Sequence, residues 1–314
     1  MVVRPTPGWQ GWRVSMPAPA VSVILPTFNR KVLLPVSAGS VLAQSFRDLE
    51  LIVVDDGSDE NIEEVVAGFN DPRVRYIRRT ISGGPAAARN TGLKAARGNY
   101  IAFQDSDDEW MLDKLAIQMS SMEKRPTGAM CVGSLVRRFG NALRVYRGVG
   151  PGVNRVEQTS EVVANPVAYT QTWLVPRDVI VDVGGFNEEL RVWEDWELML
   201  RLTNRLDILS TPESLVYSVR LGDSVSTNRE VFLKSITLID ILHAETFSQF
   251  PKQSARLRYL WGRRLIADGR TEQARTMLLT AIKSDPGRLR PWILWLTTIL
   301  QFKFVLRRLQ RAQE

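Results

Sequence analysis

The chain of 314 residues is long enough for one large domain or two smaller ones, and its 44% hydrophobic and 24% charged residues are typical of a globular protein. A single cysteine, Cys131, excludes a disulfide within the chain, and a single histidine, His243, excludes triads and zinc sites that need several histidines. A metal site must therefore use oxygen ligands, which favours Mg²⁺ or Mn²⁺. The formal net charge of +7 favours anionic partners such as phosphorylated ligands or an acidic membrane surface, and a merely basic surface explains it equally well.

Nucleic acid is not an expected partner, because neither zinc-ligand spacing nor an RNP-type stretch occurs in the sequence. Residues 1–16 are rich in Pro, Gly and Trp and contain no apolar run of signal-peptide length. They predict a disordered arm, with Met16 as an alternative start of translation. The cysteine usage fits a reducing compartment, so we expect a cytoplasmic protein.

Between residues 21 and 104, short apolar runs typical of buried strands alternate with segments of helical spacing. Strands are predicted at 21–25, 49–54, 74–77 and 99–104, and helices at 31–45, 60–69 and 83–98. Strands joined in this way form a largely parallel sheet covered on both faces, and ligands bind at the carboxyl ends of its strands. The acidic segments "DDGS" (55–58) and "DSDDE" (105–109) both follow such ends.

Residues 112–225 have a less regular pattern. Helices are predicted at 112–124 and 193–204, and strands near 129–137, 142–146, 172–175 and 215–219. From residue 226 the pattern is helical to the end, and residues 257–296 resemble one tetratricopeptide-like helical hairpin. Because a single repeat cannot bury its own apolar face, we expect it to pack on the main domain, on a partner or on a bilayer.

Four acidic side chains lie within five positions after the fourth predicted strand: Asp105, Asp107, Asp108 and Glu109. Carboxylates so close together repel one another, so the arrangement lowers stability unless a cation or an ordered hydrogen-bond network compensates. For Asp108 and Glu109 a second interpretation is N-capping of the helix that follows, where negative charge suits the helix dipole.

Six segments carry a resemblance to a known family. In chain order they are "VSVILPTFNR" (21–30), "LIVVDDGSDE" (51–60), "GGPAAARNTGL" (83–93), "YIAFQDSDDEW" (100–110), "VGGFNEEL" (183–190) and "WEDWELMLRL" (193–202). Together they closely resemble the family-2 glycosyltransferases, inverting enzymes of the GT-A fold, over roughly residues 20–225.

The resemblance implies an α/β fold of the GT-A type, with a central, mostly parallel sheet flanked by helices and an all-helical region at the C-terminus. Residues 17–225 would form the glycosyltransferase domain, with a nucleotide-sugar half at 17–110 and an acceptor half at 111–225, and residues 226–314 the helical extension. The implied reaction moves a sugar from a nucleotide-diphospho-sugar to a hydroxyl of a glycan or lipid-linked acceptor. The implied setting is the synthesis of a bacterial surface polysaccharide or glycoconjugate.

By the same resemblance, the D-x-D element of the family falls on Asp105 and Asp107. Asp105 would face the ribose of the donor, and the two aspartates, Asp107 above all, would hold Mg²⁺ or Mn²⁺ against the diphosphate. A bridging cation makes sense there because carboxylates and phosphates otherwise repel one another.

The resemblance also assigns the remaining donor-side residues. One of Asp55 and Asp56, preferably Asp56, would accept a hydrogen bond from the nucleobase. Pro26 and Thr27 would line the base and ribose pocket. Arg89 would reach the nucleotide or its phosphates, with an arginine on the surface of a helix as the alternative.

On the acceptor side, the resemblance makes Asp195 the base that takes the proton of the attacking hydroxyl, with a helix-start cap as the alternative. Glu194 would orient the acceptor. Trp193 and Trp196 would either supply a stacking face for a sugar or pack in the core.

Two glycines, Gly184 and Gly185, would let the backbone approach the acceptor closely. The chain departs from the family where a histidine follows a basic residue before a serine-rich turn, because Leu221 stands at that position. A metal or diphosphate contact would then be lost or replaced, with Arg220 as the candidate replacement.

The C-terminal segment "PWILWLTTILQFKFVL" (291–306) is interrupted by Gln301 and Lys303 and is too short an apolar run to span a membrane. Its apolar residues and the basic residues near the end favour a helix lying on the inner face of an anionic membrane, which would give peripheral contact. A capping helix packed on the hairpin explains the pattern equally well.

Two other functions are compatible with parts of the sequence. A nucleotidyltransferase is disfavoured because no Gly-rich, Lys-bearing phosphate loop follows the first strand. A degenerate transferase acting as a nucleotide-sugar-binding scaffold is disfavoured by the intact Asp56, Asp105, Asp107 and Asp195.

Overall fold

The first half of the central sheet consists of four parallel strands in the order β3-β2-β1-β4. The computed structural model describes residues 18–124, 128–147, 155–165, 168–219 and 228–310. The elements of this half are β1 (Val21–Thr27), α1 (Leu34–Leu42), β2 (Leu49–Asp55), α2 (Ile62–Ala67), β3 (Val74–Arg78), α3 (Pro85–Ala95) and β4 (Tyr100–Phe103). The chain runs outward from β1 to β3 and then returns to the other side of β1, so a crevice opens where the winding reverses.

The second half of the sheet continues in the order β4-β8-β6-β9-β5, and β7 pairs with β6. Its elements are β5 (Asp108–Trp110), α4 (Lys114–Glu123), β6 (Ala129–Phe139), β7 (Ala142–Tyr146), α5 (Arg155–Ala164), β8 (Trp173–Pro176), α6 (Arg177–Asp182), α7 (Glu194–Thr203) and β9 (Asp207–Val219). Strand β8 is antiparallel to β4 and to β6, whereas β9 is parallel to β6. The predicted α/β fold with flanking helices is confirmed.

The N-capping interpretation of Asp108 and Glu109 is wrong. Both residues lie in the short strand β5, where Asp108 pairs with Ser218 and Glu109 with Tyr217 of β9. Helix α4 begins only at Lys114. Three residues are too few for a strand pattern, so only pairing with a distant strand defines β5.

Strand β9 is longer than its predicted portion, 215–219, because it begins at Asp207. Its pairing with β6 shifts register opposite Ser134, between Ser210 and Ser214 of β9. Proline cannot donate to a strand ladder and is tolerated at such irregularities, which accounts for Pro212 there. Because this irregular stretch is polar, the sequence lacks the apolar pattern that would have predicted a strand there. Helices α5 and α6 were likewise not predicted.

The sheet is covered on both faces by apolar side chains. On β1, Val23 and Leu25 belong to one buried cluster together with α1 and α4, whereas Ile24 belongs to the other together with α3 and α7. The same alternation continues on β2, where Leu51 and Ile52 face opposite clusters. Burial on both faces explains why these strands are continuous apolar runs.

The C-terminal helices pack on the main domain. They are α8 (Arg229–Leu242), α9 (Ala244–Gln249), α10 (Pro251–Ala267), α11 (Thr271–Ser284) and α12 (Leu289–Gln310). Phe232, Phe247 and Trp261 of these helices belong to the same buried cluster as Trp196 of α7. Packing on the main domain is therefore the arrangement seen for the predicted hairpin. The predicted boundary near residue 225, Arg220, Leu221 and the predicted arm at 1–16 all lie outside the described residues.

Helix α12 rests on α11, where Arg275 donates from Nη2 to the carbonyl of Thr298 (2.6 Å). On its outer face Leu289, Ile293 and Leu296 are exposed at helical spacing. Among the described residues no helix is both long enough and apolar enough to cross a bilayer. The contact with α11 fits the capping interpretation of this helix, and membrane contact stays a prediction.

The buried carboxylate of Glu50 in β2 links β1 and β3 through polar contacts. Its carboxylate, 2% exposed, accepts hydrogen bonds from Ser22 Oγ (2.6 Å) and from the side chain of Arg75 (2.9 Å). It also accepts bonds from the backbone N–H and the side chain of Arg97. Although burial opposes ionisation, these donors together hold the pKa of Glu50 below its ordinary value of 4.5.

We expect Glu50→Ala to lower the free energy of unfolding by about 3 kcal/mol at pH 7, because Arg75 and Ser22 lose a buried partner. The depressed pKa stabilises the fold fully above pH 4.5 and loses this effect as the pH falls through the folded-state pKa, so the difference from wild type shrinks in acid. Urea denaturation at pH 7 and in acid measures this. The exposed Glu63→Ala is the matched control, and an equal effect of both variants would contradict the assignment.

Candidate functional site

A cavity of about 700 Å³ opens at the carboxyl ends of β1, β2 and β4, between the first turns of α3 and α7. Parallel strands place the residues that follow them at one edge of the sheet, which is why distant motifs meet here. The sequence-predicted residues that line it are Pro26, Thr27, Asp56, Arg89, Asp105, Asp107, Trp193, Glu194 and Asp195. Asp55, Gly184 and Gly185 are not among the lining residues.

Asp56 stands on the cavity wall with its carboxylate already engaged by the loop before α3. It accepts hydrogen bonds from Ser82 Oγ (2.8 Å) and from the backbone N–H groups of Gly83 (3.1 Å) and Gly84 (2.7 Å). Arg79 Nε is ion-paired with it at 2.7 Å. The carboxylate therefore fixes this loop, and a nucleobase would have to share an oxygen that a protein donor now uses.

Asp55 points away from the cavity into the turn that follows β2. It accepts hydrogen bonds from the Ser58 N–H and from the Tyr76 hydroxyl, both at 2.8 Å. Gly57 allows the turn with φ of 83°, in the left-handed region that favours glycine. Burial and the Asp55 charge raise the pKa of Tyr76 to about 12, so the hydroxyl remains a donor. The contacts of Asp55 are structural.

Asp105 and Asp107 follow β4 and both face the cavity. Burial, and next the charge of Asp105, raises the pKa of Asp107, while Arg30 acts in the opposite direction. An ionised Asp107 thus lies in a site that is short of positive charge. Two hard oxygen donors of this kind fit Mg²⁺ or Mn²⁺. In the chain as described, no group of three or more acidic, histidine or cysteine side chains could hold a metal, so phosphate or water oxygens would have to supply the other ligands.

Arg89 of α3 is buried between the two acidic ends of the cavity. Its Nη2 donates to Asp105 Oδ1 and its Nη1 to Glu194 Oε1, each at 2.9 Å. The guanidinium also lies 5.4 Å from the centroid of the Phe186 ring. The surface-arginine alternative is wrong, since Arg89 is 6% exposed. Each of its terminal nitrogens uses one N–H for a carboxylate and has a second, so the predicted contact with phosphate would not by itself require either ion pair to break.

Asn90 fixes the loop that contains the two predicted glycines. Its side chain donates to the carbonyl of Phe186 (2.8 Å) and accepts from the N–H of the same residue (2.9 Å). A Cβ at Gly185 would lie 2.6 Å from Asn90 Oδ1. Gly184 and Gly185, with φ of 89° and 66°, end helix α6. The close approach that Gly185 permits is therefore that of Asn90.

Helix α7 presents its acidic first turn to the cavity. Asp195 Oδ1 accepts a hydrogen bond from the N–H of Trp196 (2.7 Å). Burial, and next the neighbouring charge of Glu194, raises the pKa of Asp195 well above its ordinary value of 3.8. Trp193 lines the cavity, whereas Trp196 is fully buried and donates from its ring to the carbonyl of Val162. The core interpretation is thus correct for Trp196.

The sequence did not single out several residues of the cavity wall. Among them are Phe28, Arg30, Ser82, Tyr169, Arg191 and Val192. Phe28 and Arg30 belong to the segment "VSVILPTFNR" (21–30), so the resemblance could have identified them as residues of the site. Arg191 reaches the site by donating from Nη1 to the carbonyl of Gly83 (2.7 Å), a contact over 108 positions that no local pattern reveals.

We expect Arg89→Met to lower the free energy of unfolding by about 3 kcal/mol, because Asp105 and Glu194 would face each other across a buried site without their common cation. Chemical denaturation at pH 7 measures this change. Arg205→Met is the matched control, since Arg205 pairs with Asp182 on the surface (2.7 Å) and an exposed pair contributes about 0–1 kcal/mol. A loss in Arg89→Met no larger than in the control would show that the bridge does not stabilise the fold.

The chain is similar in sequence to a known family and to several of its relatives. The family model described as "Glycosyl transferase family 2" matches residues 22–183, more than half of the chain. Residues of the chain are 43% identical over 104 positions to UDP-Glc:alpha-D-GlcNAc-diphosphoundecaprenol beta-1,3-glucosyltransferase WfgD of Escherichia coli, which covers 33% of this chain and 41% of that protein. The putative colanic acid biosynthesis glycosyl transferase WcaA of Escherichia coli K12 is 30% identical over 193 residues, 59% of this chain and 66% of that protein. The chain thus spans less than two thirds of these relatives.

Solved structures share the fold at low sequence identity. S. aureus TarS 1–349, in complex with UDP-GlcNAc, superposes with a TM-score of 0.71 at 19% identity, covering 92% of this chain and 91% of TarS 1–349. The mannosyltransferase PcManGT from Pyrobaculum calidifontis, in complex with GDP-Man and Mn²⁺, gives a TM-score of 0.57 at 18% identity, covering 90% and 80%. These structures show the fold, and the match of the family model over residues 22–183 shows that the chain belongs to glycosyl transferase family 2.

Proposed function

We propose that the protein is an inverting glycosyltransferase that moves a sugar from a nucleotide-diphospho-sugar to an acceptor hydroxyl. The observation that carries this proposal is that one cavity brings Asp105 and Asp107, which follow β4, to the same space as Asp195 at the start of α7. A pair of carboxylates suited to a cation and a third suited to a base are what this reaction needs. The chain's membership of the family supports the same reaction.

The donor would occupy the half of the cavity formed by β1, β2 and the loop before α3. Pro26 and Thr27 would line the base and ribose pocket, with Asp56 beside them. Asp56 would bind the nucleobase by releasing one of its loop donors, such as the Ser82 hydroxyl. The names of relatives and neighbours specify UDP- or GDP-linked sugars, which supports the class of donor without fixing its base.

Asp107 and Asp105 would hold Mg²⁺ or Mn²⁺ beside the diphosphate. When bound, the cation stabilises the charge that develops on the departing diphosphate. Asp105 would keep Arg89 on one oxygen and offer the other, so the bridge to Glu194 need not break.

Asp195 would act as the base. The acceptor oxygen attacks the anomeric carbon from the face opposite the diphosphate, the new C–O bond forms as the bond to the phosphate oxygen breaks, and the hydroxyl proton passes to the Asp195 carboxylate. One displacement inverts the anomeric configuration. Glu194, held by Arg89, would orient the acceptor, and Trp193 would offer it an aromatic face.

The proposed acceptor is a glycan or a lipid-linked sugar used in surface polysaccharide synthesis. Two relatives are named for transfer to diphosphoundecaprenol-linked acceptors, and a third for colanic acid biosynthesis. A lipid-linked acceptor would bring the protein to a membrane surface, and the exposed apolar side chains of α12, among them Leu289 and Ile293, are available for such contact.

Hydrolysis of a panel of UDP-, GDP- and dTDP-sugars, with and without Mn²⁺, tests the proposal. We expect metal-dependent release of the nucleoside diphosphate from at least one donor, and loss of that release in Asp107→Ala because the cation loses a ligand. Glu109→Ala is the matched control, since this exposed carboxylate of β5 lies two positions away and outside the cavity. Release of pyrophosphate from a nucleoside triphosphate and a sugar phosphate would indicate a nucleotidyltransferase instead.

Asp195→Asn separates turnover from binding. We expect kcat to fall by about 10²–10⁴-fold, because the proton acceptor is lost, while calorimetry shows UDP or GDP binding with Mn²⁺ at wild-type affinity. Nucleotide binding by a wild-type protein that releases no nucleoside diphosphate from any donor would favour the scaffold alternative.

The pH profile reports on the same carboxylate. Because Asp195 must be ionised to accept a proton, kcat/KM for donor hydrolysis should fall as the pH is lowered through its raised pKa, well above 3.8. Burial and the charges of Glu194 and Asp105 raise that pKa, while Arg89 and the Trp196 N–H lower it. Glu194→Gln removes one negative neighbour and should move the acidic limb to lower pH. An identical limb in this variant would exclude Asp195 as the group observed.

A further inference from the structure

The residue that begins helix α7 has an unusual backbone. Trp193 has φ of 65° and ψ of 21°, the left-handed region that a bulky side chain rarely adopts. It immediately precedes Glu194 and Asp195, so its backbone sets the direction in which the first turn of α7 enters the cavity. A left-handed residue of this kind persists only where its surroundings hold it in place.

The surroundings that hold Trp193 come from the C-terminal helices. Its ring stacks on Trp261 of α10, with centroids 5.8 Å apart and planes inclined by 29°, and meets the edge of Phe232 of α8 at 5.4 Å. Trp196, one turn along α7, stacks on Phe247 of α9 at 6.3 Å. Trp261 is 2% exposed and Phe247 is 1% exposed. Rings from α8, α9 and α10 thus enclose the start of α7.

A buried polar contact adds a further point of attachment. His243, at the end of α8, has its Nε2 3.0 Å from Glu197 Oε1. Glu197 also pairs with Arg201 (2.6 Å), whose guanidinium donates to the carbonyls of Val183 and Gly185. The histidine therefore joins the C-terminal helices to α7 and, through it, to the loop that Asn90 fixes.

Trp193 contacts both the cavity and the C-terminal helices, whereas the other attachments of α7 lie away from the cavity. Trp196 and Glu197, which contact Phe247 and His243, do not line the cavity, whereas Glu194 and Asp195 do. The C-terminal helices thus hold the start of the helix that carries the proposed base.

We propose that helices α8–α10 are part of the catalytic apparatus, in which Trp261 and His243 act as positioning residues that hold Trp193 in its left-handed conformation and so fix Asp195 and Glu194. This inference rests on the proposed function of Asp195. Neither residue lines the cavity, so each acts only through α7. The C-terminal helices then contribute to turnover as well as to folding.

The full-length chain with Trp261→Leu tests the inference, using Mn²⁺ and whichever of UDP-glucose, UDP-GlcNAc and GDP-mannose the wild type hydrolyses. We expect kcat to fall by about 100-fold, the order of effect seen when a reacting group is misplaced by about 1 Å. KM for the donor should stay within about twofold, because the donor wall is built on β1, β2 and β4. Trp261→Phe, which keeps an aromatic ring against Trp193, should recover most of kcat.

Leu278→Ala is the matched control for loss of packing. Leu278 is fully buried in α11 but lies outside the apolar cluster that contains Trp261. We expect this variant to lower Tm as much as Trp261→Leu does while keeping the wild-type kcat at a temperature where circular dichroism shows both folded. Equal losses of kcat in the two variants at matched Tm, or wild-type kcat in Trp261→Leu, would overturn the inference.

A second pair of variants covers the case in which Trp261→Leu does not fold. His243→Leu removes the contact with Glu197 and should lower kcat, whereas His243→Gln can still donate to that carboxylate and should retain more activity. The reverse order would overturn the inference. The proposed function fails separately, since it is refuted by wild-type kcat in Asp195→Asn, whereas an inactive Asp195→Asn beside a fully active Trp261→Leu refutes only the positioning role.

Discussion

The donor and acceptor sides of the site are joined by one buried guanidinium group, that of Arg89. Arg89 binds Asp105 on the donor side and Glu194 on the acceptor side, residues 89 positions apart in the chain, and both bonds are 2.9 Å long. Removing one partner of a buried ion pair leaves an uncompensated charge, which costs far more than losing an exposed pair. The position of α7 relative to β4 is therefore set by charge as well as by packing, and the cavity between them has a defined width.

Even with Arg89 in place, the cavity is deficient in positive charge. Burial is the first cause of the raised pKa of both Asp107 and Asp195, and a neighbouring carboxylate is the second cause for each. The two aspartates differ in what would relieve this. A divalent cation beside Asp107 would favour its ionised form, whereas a raised pKa suits Asp195 to accept a proton near the operating pH. The same electrostatic condition thus supports two different roles.

Contacts that support α7 extend across the predicted boundary between the glycosyltransferase domain and the C-terminal helices. The stack of Trp193 on Trp261 and the contact between His243 and Glu197 place part of the support for α7 in helices that follow the sheet in the chain. Helix α7 is held by these contacts and by the ion pair between Glu194 and Arg89. A rigid helix start is an advantage for a base whose distance to the reacting atoms decides the rate.

The sequence by itself determined the α/β class, the family and nine of the residues that line the cavity, because apolar strands covered on both faces and short motifs at strand ends are local patterns. It preferred Asp56 to Asp55 only through the resemblance, whereas the packed turn shows that Asp56 lines the cavity and that Asp55 binds Ser58 and Tyr76. The interpretation of Asp108 as a helix cap was wrong, because Asp108 pairs with Ser218 of the distant strand β9 and so belongs to β5. Only the tertiary structure decided that Arg89 bridges two carboxylates and that Trp261 supports α7, because both contacts join residues far apart in the chain.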